Sequence, residues 1–426
     1  LRRRTTIIAV AGGRDSDHAS ISNQDPFRLD ANPAVSMSIV PESSLTQTAR
    51  DLQGLIENHA DETEARCTMA APVVDAFDQS GLFRLSIPKA IGGLEADVET
   101  VQAVCEEVSY ADGATGWAYT QNTITGSYLA YIDPDVARPF AALRAGAGHF
   151  APIGVAHEED GGYRVSGNWQ FASGSGHAEF MGGGALVMRD GEIVGMGPNG
   201  ELPIIGFFVP ADRATLKGNW DAMGLRGTGS YDYEIPETFV ETAATWNITM
   251  SYAPHQTGGA MYGLGPQVYG SIGTCSWALG VASRALHEIA DIAKAGRTRL
   301  GSPALRDQTE FQRDFGFHQT AIDGARIVLL AVINDAVDLI ESGAEDALCI
   351  AAVGRCKAHA NNVVTNVAKA ATVFAWEASG SAGMRNPSVL QRCFRDMWIG
   401  AGHQVFDDRF YCEAAKPALG LEPSPF

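Results

Sequence analysis

Gly167-Asn168-Trp169-Gln170-Phe171-Ala172-Ser173-Gly174 is the stretch from which this chain is best read. It predicts a short strand that runs into a small-residue turn. Successive side chains on a strand alternate between faces, which sets Trp169, Phe171 and Ser173 on one side. Two aromatic surfaces followed by a hydroxyl suit a flat ligand with one polar edge. Aromatic-rich strands also occur as plain core, so the octapeptide gains its meaning from the rest of the chain.

The chain has 426 residues, room for two or three domains with a substantial core. Its net charge of −19 argues against nucleic acid or an anionic membrane as partner, because their phosphates would repel it. Seven cysteines without a CxxC pair suggest reduced thiols in a cytoplasmic protein. No apolar run approaches a membrane span. Leu1-Arg2-Arg3-Arg4 and the short apolar run after it only faintly resemble a signal peptide. Residues 1–36 are expected to be a disordered or extraneous extension ahead of a start at Met37.

Helical spacing begins at Ser44, with Leu45, Ala49, Leu52 and Ile56, and a second helix carries Val73, Val74 and Phe77. Gly81 to Pro88 reads as a tight extended link, Asp97 as a helix cap, and Asp133-Pro134 as another helix start. Near His149 the period shifts to short β-branched and aromatic runs at Tyr163–Val165, Ala185–Met188, Ile204–Val209 and Tyr231–Ile235. Gly182-Gly183-Gly184 reads as a β-turn. Long helices are expected over Ile272–Ile292, Glu310–Ile340 and Asp346–Ala378, apolar on more than one face. The expected domains are helical (37–147), a small β-barrel or sandwich (148–245) and a four-helix-type bundle (246–426), a mostly α, α+β chain.

That order resembles the acyl-CoA dehydrogenase superfamily. The resemblance is carried by Gly81-Leu82 with Ile87-Pro88 and Gly92-Gly93, and by Gly161 to Gly167 leading into the opening strand. Trp220-Asp221-Ala222-Met223-Gly224-Leu225-Arg226-Gly227-Thr228-Gly229-Ser230 and Arg395-Asp396 complete it. Within the superfamily, Phe171-Ala172-Ser173-Gly174 and the Gly-Leu-Arg-Gly-Thr-Gly-Ser run are similar to the two-component, reduced-flavin-dependent (group D) monooxygenases, the branch of the 4-hydroxyphenylacetate 3-hydroxylase oxygenase components and dibenzothiophene monooxygenases. The resemblance implies a homotetramer that takes reduced FMN or FAD from a separate NAD(P)H-dependent flavin reductase. Molecular oxygen would be co-substrate, and a C4a-hydroperoxyflavin would hydroxylate a small aromatic or heteroaromatic substrate.

A dehydrogenase needs a carboxylate base to take the α-proton. The two positions where the family places it read Trp398 to Gln404 and Met261 to Ala278, both without an acid. His403 falls where the hydroxylases place a catalytic or flavin-adjacent histidine; otherwise it is a structural hydrogen-bonding group. Ser173 would face flavin N5, Phe171 would pack on the ring and Gly174 would join the cofactor contacts, while Trp169, one pair further back, is expected in the core; the plain alternative for Ser173 is a strand-end cap. Arg226, Thr228 and Ser230 either close over flavin or substrate or simply shape a turn. Arg297 either meets a neighbouring subunit's flavin phosphate or is a surface arginine. Trp117, Asn122 and Thr125 are expected to line the substrate pocket. Thr125 stands where phenol hydroxylases of this group often carry a second histidine, and threonine is no base near neutral pH. No metal-ligand spacing is present. The rival readings are an acyl-CoA dehydrogenase or related flavin oxidase with a relocated base, and a non-catalytic flavoprotein-like binding partner.

Overall fold

Helices come first, then a sheet, then longer helices, in a computed structural model that describes residues 44–194, 202–248, 254–298 and 300–422. The expected extension 1–36 and Met37 lie outside the described residues. The opening helices are α1 Ser44–Asp51, α2 Gln53–Arg66, α3 Ala71–Gln79, α4 Val98–Ala111, α5 Gly113–Ser127 and α6 Pro134–Ala141. Aspartates start three of them: Asp97 accepts from Thr100 N (2.8 Å), Asp112 from Thr115 N (2.8 Å) and Asp133 from Asp135 N (2.8 Å). Asp112 both ends α4 and caps α5, so the two helices follow each other without a loop.

Nearly all of α5 is buried despite its many hydroxyls. The cost is met within the helix, where Thr123, Thr125 and Ser127 donate to the carbonyls of Thr120, Gln121 and Ile124. The segment from Gly81 to Pro88 departs from the extended link expected of it. It forms a single 3-10 turn at Leu82–Arg84, entered through Gly81 at φ +74°. That path buries Leu82, Phe83 and Leu85 almost in succession, which an alternating extended chain could not do.

The strands are β1 Gly146–Glu159, β2 Gly162–Ala172, β3 Phe180–Arg189, β4 Glu192–Ile193, β5 Ile204–Pro210, β6 Thr215–Leu216, β7 Tyr231–Glu241 and β8 Thr245–Asn247. They form one eight-stranded sheet in the order β6-β7-β2-β1-β3-β5-β8, with β4 beside β3. β1 and β3 run parallel, and the other pairs are antiparallel. The glycine run read as a β-turn is instead the middle of β3. A Cβ at Gly183 would sit 2.8 Å from the Trp169 ring, and one at Gly182 2.6 Å from Phe150. Large rings lying against a central strand require glycine there, a demand that local turn chemistry does not reveal.

The C-terminal part comprises α7 Gly265–Lys294, α8 Thr309–Glu341, α9 Asp346–Asn362, a π-helical stretch at Val363–Ala368, α10 Lys369–Ser379, α11 Val389–Gly400 and α12 Arg409–Ala415. α7 is the hub: it packs on α4, α5, α10 and α11 and is buried on most sides. A Cβ at Gly280 would stand 2.9 Å from both the Ser109 side chain and Tyr110 N, so this glycine sets how closely α4 approaches. The seven cysteines are all free thiols. Among the described residues no helix is long and apolar enough to cross a membrane.

Candidate active site

The strand that opens the sequence reading ends in a bulge. Trp169 pairs with Tyr233 and Ala172 with Tyr231, so three steps on β2 oppose two on β7. Phe171 absorbs the extra residue at φ +62°, a left-handed conformation uncommon for a phenylalanine. The single face expected for Trp169, Phe171 and Ser173 is therefore broken. Trp169 is fully buried in the sheet core, stacked on Tyr233 at 5.4 Å with its Nε1–H donated to Gly184 O (3.0 Å). Phe171 turns outward, 58% exposed, with Trp220 edge-on at 6.1 Å. A bulge is a property of the paired strands, and the octapeptide alone carries no mark of it.

Just beyond the bulge, hydroxyls gather. Trp117 Nε1–H donates to Ser173 Oγ (3.1 Å), Ser173 Oγ meets Ser230 Oγ (2.7 Å), and Ser230 Oγ meets Thr228 Oγ1 (2.6 Å). Thr228 Oγ1 donates to Leu225 O (2.8 Å), and the three hydroxyl residues are buried. Gly174 closes the cluster by donating its N–H to Thr228 O (2.8 Å) at φ +77°, where a side chain would collide with Asn122. The structure thus brings together Trp117, Ser173, Gly174, Thr228 and Ser230 from α5, the end of β2 and the Gly-Leu-Arg-Gly-Thr-Gly-Ser loop. These groups partner one another with hydroxyls, an indole and a carbonyl, and no carboxylate is among them.

His403, just after α11, packs edge-on to Trp117 at 5.5 Å, and Trp117 in turn meets Trp277 of α7 at 4.7 Å. Burial, with His149 nearby, pushes its pKa down to about 4. Val405 N–H points at Nδ1 (3.3 Å), which leaves the hydrogen of the neutral ring on Nε2. His149 was not singled out from the sequence. Its pKa is also lowered by burial, and its Nε2 lies 3.5 Å from the Gln404 amide.

The other expected residues make bonds outside this cluster. Thr125 gives its hydroxyl to Gln121 O within its own helix (2.9 Å). Asn122 braces the start of β1 through Gly146 O (2.8 Å) and holds His177 Nε2 (2.8 Å). Arg226 is half-exposed and paired with Asp221 (2.8 Å). Arg297 donates to Ser381 (3.1 Å) at the rim of a cavity of about 280 Å³. Gln308, Phe311, Asp314, Phe374 and Glu377 also line that cavity, which none of the hydroxyl-cluster residues reaches.

Asp396, part of the Arg395-Asp396 pair but given no role from the sequence, is buried beside the hydroxyl loop. Its Oδ1 accepts Leu225 N–H (2.5 Å), and Arg395 donates to Met223 O (2.7 Å) and pairs with Glu64 (2.7 Å). Leu225 is held at φ +52°, and Leu225 O receives Trp220 Nε1–H (3.0 Å) as well as Thr228. Burial, and then Asp112, push the Asp396 carboxyl above the usual carboxylate range. Its place in the fold is to tie the hydroxyl loop to α11. Among the described residues no cluster of His, Cys, Asp or Glu could hold a metal.

Comparison with known proteins defines the class. Residues 272–408 match the acyl-CoA dehydrogenase C-terminal domain, and residues 42–132 match the N-terminal domain of the same family. The 3-HSA hydroxylase from Rhodococcus sp. RHA1 superposes with a TM-score of 0.81 at 23% identity, covering 89% of this chain and 98% of its own. XiaF from Streptomyces sp., in complex with FADH2 and glycerol, gives 0.76 at 22%, covering 89% and 96%. FMN-bound TdsC from Paenibacillus sp. A11-2 gives 0.69 at 20%, covering 90% and 99%. The chain has the acyl-CoA dehydrogenase-like fold.

Within that class its relatives are flavin-dependent monooxygenases. Indole-3-acetate monooxygenase of Pseudomonas putida is 27% identical over 410 residues, 94% of this chain and 99% of its own. The oxygenase subunit HsaA of Mycobacterium tuberculosis is 26% identical over 384 residues, 86% and 93% of the two chains.

Proposed function

We propose that this chain is the oxygenase component of a flavin-dependent monooxygenase, acting on a small aromatic or heteroaromatic substrate with molecular oxygen. Reduced FMN or FAD would come from a separate NAD(P)H-dependent flavin reductase. The observation that carries the reading is the buried Trp117–Ser173–Ser230–Thr228 cluster, which joins hydroxyls to an indole with no carboxylate among its partners. Proton abstraction from an acyl thioester would need such a base. Oxygen transfer needs instead a closed apolar site with a few placed hydrogen-bonding groups.

The residues present fit a flavin. Ser173 Oγ accepts one hydrogen bond from Trp117 and retains a second lone pair for a ring nitrogen hydrogen. Phe171 offers an exposed aromatic face two residues away. Thr228 and Ser230 would support Ser173 from behind. A bound reduced flavin would supply the electrons that activate oxygen. Trp117 and Trp277 would wall the site and exclude water. His403, neutral and carrying its hydrogen on Nε2, would donate a hydrogen bond to a substrate oxygen. Arg226 and Arg297 stand outside the cluster and would act at most at the edges of a bound flavin. The chain would divide into parts 37–147, 148–245 and 246–426 and work as a homotetramer, with α8 presenting Phe317, Ile327 and Val328 to another copy.

The test supplies reduced flavin through a reductase and NADH and offers a panel of phenols and indoles. Oxygen uptake matched by hydroxylated product is expected. Anaerobic reduction of enzyme-bound flavin by an acyl-CoA, without such product, would return the chain to the dehydrogenases.

A further inference from the structure

The hydroxyl cluster has a direction. At one end Trp117 Nε1–H can only donate, and it donates into Ser173 Oγ (3.1 Å). At the other end Leu225 O can only accept, and it takes the hydrogen of Thr228 Oγ1 (2.8 Å). A hydroxyl has one hydrogen to give. With that of Thr228 on Leu225 O, Ser230 must give its hydrogen to Thr228 Oγ1 (2.6 Å), and Ser173 must give its own to Ser230 Oγ (2.7 Å). Every hydroxyl hydrogen then has a partner, and Ser173 Oγ is left with one acceptor lone pair and nothing to donate. The opposite order, Thr228 to Ser230 to Ser173, frees the Ser173 hydrogen but loses the bond to Leu225 O. Losing one buried hydrogen bond corresponds to about tenfold in an equilibrium constant.

We propose that this one-way relay makes Ser173 a discriminator of flavin oxidation state, selecting reduced over oxidised flavin before any oxygen arrives. The proposal rests on the flavin reading above. In reduced flavin N5 carries a hydrogen and donates; in oxidised flavin N5 has only a lone pair and accepts. Ser173 Oγ satisfies the first without disturbing the relay. For the second it must reverse all three hydroxyls. Thr228 and Ser230 are thus positioning residues whose effect passes through Ser173, and Leu225 O is the anchor that gives the relay its sense. An oxygenase fed by a separate reductase benefits from this bias, since it accepts the charged carrier and sheds the used one.

The experiment is anaerobic titration of the full chain with FMN and FAD in both oxidation states, followed by fluorescence. Midpoint potentials of the bound flavin give a second readout, with about 30 mV for each tenfold in a two-electron couple. The wild-type chain should bind reduced flavin at least about tenfold more tightly than oxidised. Ser230→Ala removes the acceptor of the Ser173 hydrogen, and Thr228→Val cuts the relay off from its anchor at Leu225 O. Either change should cut the ratio by about tenfold, mainly through tighter binding of oxidised flavin. A merely structural role would weaken both forms alike and leave the ratio unmoved. Ratios within twofold of wild type in both variants overturn the relay. So does a wild-type preference below twofold, a result that needs no variant to fold. If the wild-type chain binds neither form, the flavin reading itself fails.

Discussion

His403 shows how strongly a few ångströms of surroundings decide a side chain's chemistry. A free imidazole titrates near 6.5, but burial beside Trp117 and His149 lowers this one to about 4. The sign follows directly: the ring is neutral through the physiological range and becomes charged only below about 4. Product formation should therefore show no ionisation near 6.5 and decline only in strong acid, measured with chemically reduced flavin so that no reductase titrates. His403→Leu should lower kcat by about a hundredfold through loss of the Nε2–H donor. An acid limb at 6.5 in the wild-type profile would remove His403 from this role. The sequence placed His403, Ser173 and Trp117 as separate candidates. It did not show that Trp117 serves Ser173, because that contact joins residues 56 positions apart.

At the scale of elements, regular periodicity was readable and context was not. The long helices announced themselves through repeated apolar spacing: α8 and α9 begin at or next to the expected Glu310 and Asp346, whereas α7 begins at Gly265, well ahead of the expected Ile272. Three glycines in a row gave no hint that they form the middle of β3, since their demand comes from Trp169 and Phe150 on other strands. The bulge at Phe171 was hidden for the same reason. Gly183→Ala should overpack against Trp169 and Phe207 and cost about 1–3 kcal/mol. Gly354→Ala on α9 meets open space and should be neutral or stabilise by up to about 1 kcal/mol. Denaturant midpoints compare the two; equal stability would mean that the rings move aside.

For the whole molecule, α8 poses the main question. Phe317 is 67% exposed, Ile327 47% and Val328 42%, an apolar outer face on a helix of 33 residues. Its inner side is fixed by buried Arg326, ion-paired to Glu106 of α4 and to Asp323. Four copies of the 45.2 kDa chain are expected by sedimentation, and Phe317→Glu with Ile327→Glu should shift the protein to smaller species. A wild-type monomer at micromolar concentration would rule out this assembly.

The bond from Leu225 N to Asp396 spans 171 positions of chain. During synthesis, β2, α5 and the hydroxyl loop have all left the ribosome well before α11 exists. Until Asp396 emerges, Leu225 N–H lacks its carboxylate partner, and only the local bonds from Trp220 and Thr228 to Leu225 O hold the turn. A chain cut before α11 would therefore carry the whole hydroxyl loop in its sequence yet lack the carboxylate that ties that loop down. α11 thus sets the final shape of a loop encoded far upstream, and the geometry of that loop depends on nearly the full length of the chain.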